Sequence, residues 1–260
     1  MIVSSAIMFR PLKLLFACLL LPAAFAAGQM PASIVPVETL AAPEAKQAAC
    51  ADERFVYAID SKSIAKYDRA TREKVATSTG NAKHLNSGFL WNGKLYCAHS
   101  NYPAKPERSE IMELDSETMV LTIFKNFGEY RGSLTWVVRE GDAWWCNFAR
   151  YGAENAQTVL VKLDAQWREL GAWTYPGEVI QELGQYSISG GFWLKGQLLV
   201  TGHDHKVVYR LSLPENGSVL RLIDRIPSPF PGQGIAFDPK TGGLIGIDRD
   251  QRQVIFARMP

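Results

Sequence analysis

Ser87-Gly-Phe-Leu-Trp91 runs through the turn Asn92-Gly-Lys94 into Leu95-Tyr-Cys-Ala-His99. The same order recurs along the chain. Gly132-Ser-Leu-Thr-Trp136, Ser189-Gly-Gly-Phe-Trp193 and Gln233-Gly-Ile-Ala-Phe237 each begin with small or polar residues and end in an aromatic. Each leads through a polar turn, "REGD", "KGQ" or "PKTGG", to a β-rich run, "AWWCNF", "LLVTGH" or "LIGID". A third run follows ("IMELD", "VLVKLD", "VVYRLSL", "VIFARM"), and a fourth in most copies ("MVLTIFKNF", "WRELGAWTYP", "SVLRLIDRIP"). A weaker first copy reads "KQAAC", "RFVYAID", "SIAKYD" and "EKVATST". Four-strand units repeating at roughly 40–55 residues are the signature of a β-propeller. No useful length of the chain has helical periodicity.

The count is five blades. The fifth, from Gln233 to Met259, holds only three strands before the chain stops. Residues 32–40, "ASIVPVETL", are expected to supply its missing outer strand beside Val254 to Arg258 and so close the ring. Closure removes strand edges that would otherwise template aggregation. The innermost strands crowd the axis, which explains the small residues Gly88, Ser133, Gly190 and Gly234. The fold class is therefore all-β, a five-bladed propeller of four-stranded blades.

Residues 1–26 read as a secretory signal. Arg10 and Lys13 precede an apolar run from Leu14 to Phe25, and Ala24-Phe-Ala26 is an A-x-A cleavage site. Cys18 loosely suggests a lipoprotein signal, but Phe16 fits that pattern poorly. The expected mature protein, a single domain from residue 27 to 260, is secreted or periplasmic, monomeric and without a membrane span. Without Arg10 and Lys13, 26 basic residues balance 26 acidic ones. A nucleic-acid surface needs a clustered basic excess. Cys50, Cys97 and Cys146 remain, an odd number with no C-x-x-C spacing, and read as buried thiols within strands.

Neighbouring strands are antiparallel, so the second-to-third-strand turns share one face with the crossovers between blades. All four histidines fall on that face: His99, His203 and His205 at second-strand ends, His84 in a crossover. Asp60 and Asp248 are the equivalents in the first and last blades, and Arg150 and Tyr151 lie nearby in the third. Asn86, Glu129, Tyr130, Arg131, Glu182, Gln185, Tyr186 and Gln233 join them from crossovers. The opposite face carries bland turns. Ligands favour concave openings with a few convergent polar groups. Each residue also has a plain role: His99 and His203 as strand caps, Asp60 and Asp248 as turn formers, His205 as solvent-exposed, Arg131 with Glu182 as an ion pair. Trp91, Trp136 and Trp193 read as packing between blades.

Thr201-Gly-His-Asp204, Ile226 to Asp238 and Gly246-Ile-Asp-Arg249 resemble secreted bacterial propellers loosely labelled cycloisomerase-like. The whole plan also resembles the five-bladed glutaminyl-peptide cyclotransferases: "SGFLWNGKLYCAHS" is similar to their "TEGL…GHLYESTG" repeat, and "GIAFDPKTGGLIGI" to their last blade. That resemblance implies cyclisation of N-terminal glutamine by a motif glutamate. Ser87 stands in that glutamate's place, which removes the implied proton shuttle.

Two readings follow. In the first, an exported propeller binds a small molecule or peptide in the funnel of the histidine face, as a lyase, cycloisomerase or cyclotransferase. His99 and His203 would then transfer protons. Arg131 would hold an anionic group, with Glu182 or Asp204 as its partner. His84, Asn86, Gln185, Gln233 and Asp248 would contact the ligand. A divalent metal on His84, His99 and His203 is an option if their rings converge. In the second, the chain is a non-catalytic interaction module of the cell envelope.

Overall fold

The computed structural model describes Met1 and residues 32–260; the expected signal segment and Cys18 lie outside the described residues. Residues 35–258 form five four-stranded antiparallel sheets. The first blade is β2 (Ala48–Ala51), β3 (Phe55–Ile59), β4 (Ile64–Asp68) and β5 (Lys74–Thr77). The second is β6 (His84–Trp91), β7 (Lys94–Ser100), β8 (Ser109–Asp115) and β9 (Leu121–Gly128). The third is β10 (Ser133–Glu140), β11 (Ala143–Ala149), β12 (Val159–Leu163) and β13 (Glu169–Thr174). The fourth is β14 (Gly190–Leu194), β15 (Gln197–Thr201), β16 (Val207–Ser212) and β17 (Arg221–Pro227).

The fifth blade is built from both ends of the chain. β18 (Ala236–Asp238), β19 (Gly243–Asp248) and β20 (Gln253–Arg258) are completed by β1 (Val35–Ala41). Val35 lies opposite Arg258 and Leu40 opposite Val254, as the missing outer strand requires. The ring is sealed again where blade five meets blade one. Arg69, after β4, makes a two-pronged ion pair with Asp238, at 2.7 and 3.0 Å. Both side chains are buried.

The inner strands meet as tightly as their small residues allow. A Cβ added at Gly234 would sit 2.5 Å from Ala48 Cβ, and one at Gly190 would sit 2.7 Å from Gly234 Cα. Between blades, aromatic rings fill the space. Trp136 is fully buried and lies so close to Gly191 that a Cβ there would be 2.8 Å from the indole. Trp91 packs edge-on against Trp144 at 5.8 Å, and Trp193 lies 4.7 Å from Trp145. Cys50, Cys97 and Cys146 are buried free thiols within this core.

One departure from the expected all-strand pattern is a short helix, α1 (Gly177–Leu183), in the crossover between the third and fourth blades. Val179, Ile180 and Leu183 bury one side of it, and Gly184 (φ 61°) ends it. At two turns it is too short for a periodicity test, yet the glycine stop and that spacing are its sequence marks. No helix among the described residues is long and apolar enough to cross a membrane.

Candidate functional site

The alternation of antiparallel strands carries His84 and Ser100 to the same end of the second blade, where they face each other across β6 and β7. At that end, over the axis, lies a cavity of about 410 Å³ with walls from all five blades. Gln47 comes from the first, His84, Asn86 and Tyr102 from the second, Thr135 and Tyr151 from the third. Gln185, Tyr186, Ser189 and His203 come from the fourth and its crossover, and Gln233 from the approach to the fifth. The axial contacts at Gly190 and Gly234 lie just inside, on the inner strands that follow Ser189 and Gln233.

Two wall residues owe their placement to β-bulges. The register of β6 against β7 slips between Leu85 and Gly88, and that of β10 against β11 slips between Leu134 and Trp136. Asn86 and Thr135 occupy those slips. A bulge re-aims a side chain that regular alternation would send elsewhere. Asn86 Nδ2 then donates to Leu134 O at 2.9 Å, and Thr135 Oγ1 to Ile188 O at 2.7 Å, each bridging to the next blade. Behind Thr135, Asn147 Nδ2 donates to its hydroxyl at 2.8 Å, and Tyr175 OH donates to Asn147 Oδ1 at 2.7 Å. Such a buried, satisfied network holds the wall rigid.

His203 stacks flat on Tyr186, with centroids 4.0 Å apart and planes 11° apart. Arg249 Nη1 lies 3.1 Å from His203 Nε2. Arginine only donates, so Nε2 accepts and the ring proton belongs on Nδ1. Nδ1 is 2.8 Å from Asp204 Oδ1, but without hydrogen-bond alignment, so this is a contact of charge and dipole. Arg249 also reaches Asp204 at 3.2 Å. On the part of the wall supplied by the second and third blades, Tyr102 lies 5.3 Å from His84 and 5.5 Å from Tyr151. Burial, and then the nearby His99, hold His84 below the usual histidine range, so it is neutral at pH 7. Burial also pushes the Tyr151 phenol up.

Of the residues singled out from the sequence, His84, Asn86, Tyr151, Gln185, Tyr186, Gln233 and His203 come together on this wall. His99 lies outside it. Its Nε2 accepts the Lys83 backbone N–H at 2.9 Å and its Nδ1 faces Glu110 at 3.1 Å, so both nitrogens are engaged within the blade. Burial holds its pKa below the ordinary value although Glu110 opposes that. Arg131 and Glu182 are not paired with each other. Arg131 binds Glu169 at 2.9 Å, whereas Glu182 accepts from Arg225 at 2.8 Å and from Tyr209 OH at 2.9 Å. Asp204 and the exposed His205 line a shallower pocket beside Glu182. Asp248 accepts the backbone N–H groups of Asp250 and Gln251, the work of a turn former. The three-histidine metal arrangement does not form: no group of three or more His, Cys, Asp or Glu side chains converges among the described residues.

Gln47, Tyr102, Thr135 and Ser189 were not anticipated as wall residues. Gln47 and Ser189 each precede the small pair that opens an inner strand, as Gln233 precedes Gly234, which is a signal the sequence does hold. Tyr102 and Thr135 depend on a loop path and a bulge.

No protein-family model matches the chain, and no curated protein sequence matches it. Among solved structures, the glutaminyl cyclase of Myxococcus xanthus aligns with 88% of this chain and 98% of its own, at TM-score 0.59 and 11% identity. The β-propeller domain of Cps50 (Swd1) from Myceliophteria thermophila aligns with 87% and 100% at TM-score 0.46 and 9% identity, too weakly to carry an argument. At such identities the likeness is one of fold: the chain is a five-bladed β-propeller similar in architecture to a bacterial glutaminyl cyclase.

Proposed function

We propose that this chain is an exported propeller that binds a small molecule or peptide in the cavity of its histidine face. Export rests on the basic, apolar and A-x-A order of residues 1–26. Binding rests on one observation above all: a cavity of about 410 Å³ walled by every blade. Its size falls within the range of ordinary ligand sites, and its polar groups are held by bulges and buried networks. Preorganised walls of this kind favour ligands by reducing what must be ordered on binding.

The wall favours binding over proton-transfer chemistry. Among the described residues it carries no carboxylate, and Ser87, at the position of the cyclotransferase glutamate, is buried outside the wall. His203, the wall imidazole nearest a carboxylate, already spends Nε2 on Arg249. If an enzyme, the chain would use His203 after release from Arg249, with Asp204 behind it. The test is binding of a soluble metabolite and peptide library to wild type and to His203→Gln. Retained melting with lost binding supports the site. Undiminished binding in the variant refutes it.

The rival reading, an interaction module, draws on the other mouth of the ring. There Phe89, Phe192 and the exposed Phe237 line a mainly apolar cavity of about 300 Å³, with Asp52, Arg139 and Glu140 also in its wall. Loss of a partner in Phe237→Glu, with cavity ligands still bound, would favour it.

A further inference from the structure

We infer that the cavity is built for an uncharged saccharide of one or two rings. This rests on the reading that the cavity binds a small molecule, and names its class. The first observation is the absence of formal charge: among the described residues, none of the side chains lining the cavity is Asp, Glu, Lys or Arg. The pair beside His203, Arg249 and Asp204, is compensated at 3.2 Å. An anion taken from water into this wall would find no cation, and a peptide's N-terminal ammonium would find no carboxylate. Burial of an unpaired charge is costly, so the wall selects against both.

The second observation is how the neutral groups are distributed. Tyr186 and His203 form one flat aromatic face, parallel within 11°. Tyr102, tilted 52° against both His84 and Tyr151, adds further aromatic surface from the second and third blades. Aromatic faces supply large, rigid contact area with polar ends, and the C–H face of a pyranose is the complementary surface. The same wall holds the carboxamides of Gln47, Asn86, Gln185 and Gln233. A carboxamide both donates and accepts, which matches a hydroxyl in either role. Asn86 and Gln233 each anchor one amide nitrogen, to Leu134 O and to His203 O at 3.1 Å. Their oxygens accept no hydrogen bond among the described residues. Neutral His84 adds one donor and one acceptor. A purely apolar ligand would leave the Asn86 and Gln233 amide oxygens and the His84 nitrogens without a partner.

The test is isothermal titration of the purified protein with maltose, N,N′-diacetylchitobiose and galactose. Glucuronate and glucose 6-phosphate are the charged comparators, and N-acetylglutaminamide is the neutral non-sugar. At least one neutral sugar is expected to bind saturably, with both charged sugars at least tenfold weaker. Tyr186→Ala and Gln185→Ala, at exposed positions, are each expected to weaken binding about three- to tenfold without lowering Tm. Tighter binding of a charged sugar overturns the inference, as does sugar binding unchanged in both variants. Binding of the capped amide alone overturns the saccharide class while leaving the cavity reading intact. Silence of all three neutral sugars also overturns it; silence of a broad metabolite and peptide library as well removes the cavity reading with it.

Discussion

Replacing Arg69 with methionine would strip the counter-ion from Asp238 at the seam between the last blade and the first. The Asp238 side chain has no exposure and Arg69 only 6%, so the carboxylate left behind cannot recover its hydration. Removing one partner of a buried pair costs about 3–5 kcal/mol. The variant also loses the Arg69 hydrogen bond to Asp52 O at 2.8 Å and its packing over the Phe256 ring at 4.8 Å. For a domain of this size each kcal/mol moves Tm by about 2–4 °C, so a fall of about 6–20 °C is expected in a calorimetric scan at pH 7. Arg69→Met combined with Asp238→Asn leaves no stranded charge and keeps an acceptor for Thr241, so it should recover at least half of that loss. A fall of under about 2 °C in the single variant, or no recovery in the double, would refute the claim that this pair closes the ring. The pair also has an acid limit. Burial would raise the Asp238 carboxyl, but hydrogen bonds from Arg69 and Thr241 outweigh it and hold the folded value below the ordinary one. Its contribution is therefore full above the unfolded value, near pH 4, and is lost as pH falls through the folded value. The seam matters for the cavity because Gly234 N–H donates to Gln47 O across it at 2.9 Å, and Gln47 and Gln233 stand on either side.

Four further outcomes are expected. Gly190→Ala forces a Cβ to within 2.7 Å of backbone at Gln233 and Gly234, and overpacking of that kind should cost about 1–3 kcal/mol in denaturant melts. His99→Ala strands the Lys83 N–H and should lose about 1–3 kcal/mol of stability in the same assay while leaving cavity ligands bound; equal stability would show the imidazole to be dispensable. His84 and His99 both titrate below the ordinary histidine value, so the unfolded chain takes up their protons first. Stability should then begin to fall as pH drops below about 6.5, with a shallower slope in His84→Gln. Burial raises all three thiols, with Cys97 pushed up to about 12, so a thiol reagent at pH 8 should label none of them until the protein unfolds.

The order of strands, the number of blades and the use of residues 32–40 to close the ring were all legible from local repetition, because each blade is a self-similar unit whose apolar runs and turns are written contiguously. So was the face on which the histidines gather, since antiparallel alternation sends every second turn to the same end. What a side chain does at that end is decided elsewhere. His99 and His203 occupy equivalent places in their blades, yet Lys83 and Glu110 take the first into the blade while Tyr186 and Arg249 hold the second against the cavity. Arg131 and Glu182 found other partners, Glu169 and Arg225, on strands distant in sequence. The bulges that turn Asn86 and Thr135 inward leave no mark in composition, because a slipped register is a property of two strands together. A wall assembled from five separate blades is fixed by contacts between residues far apart in the chain, and only the closed ring brings those residues within reach of one another.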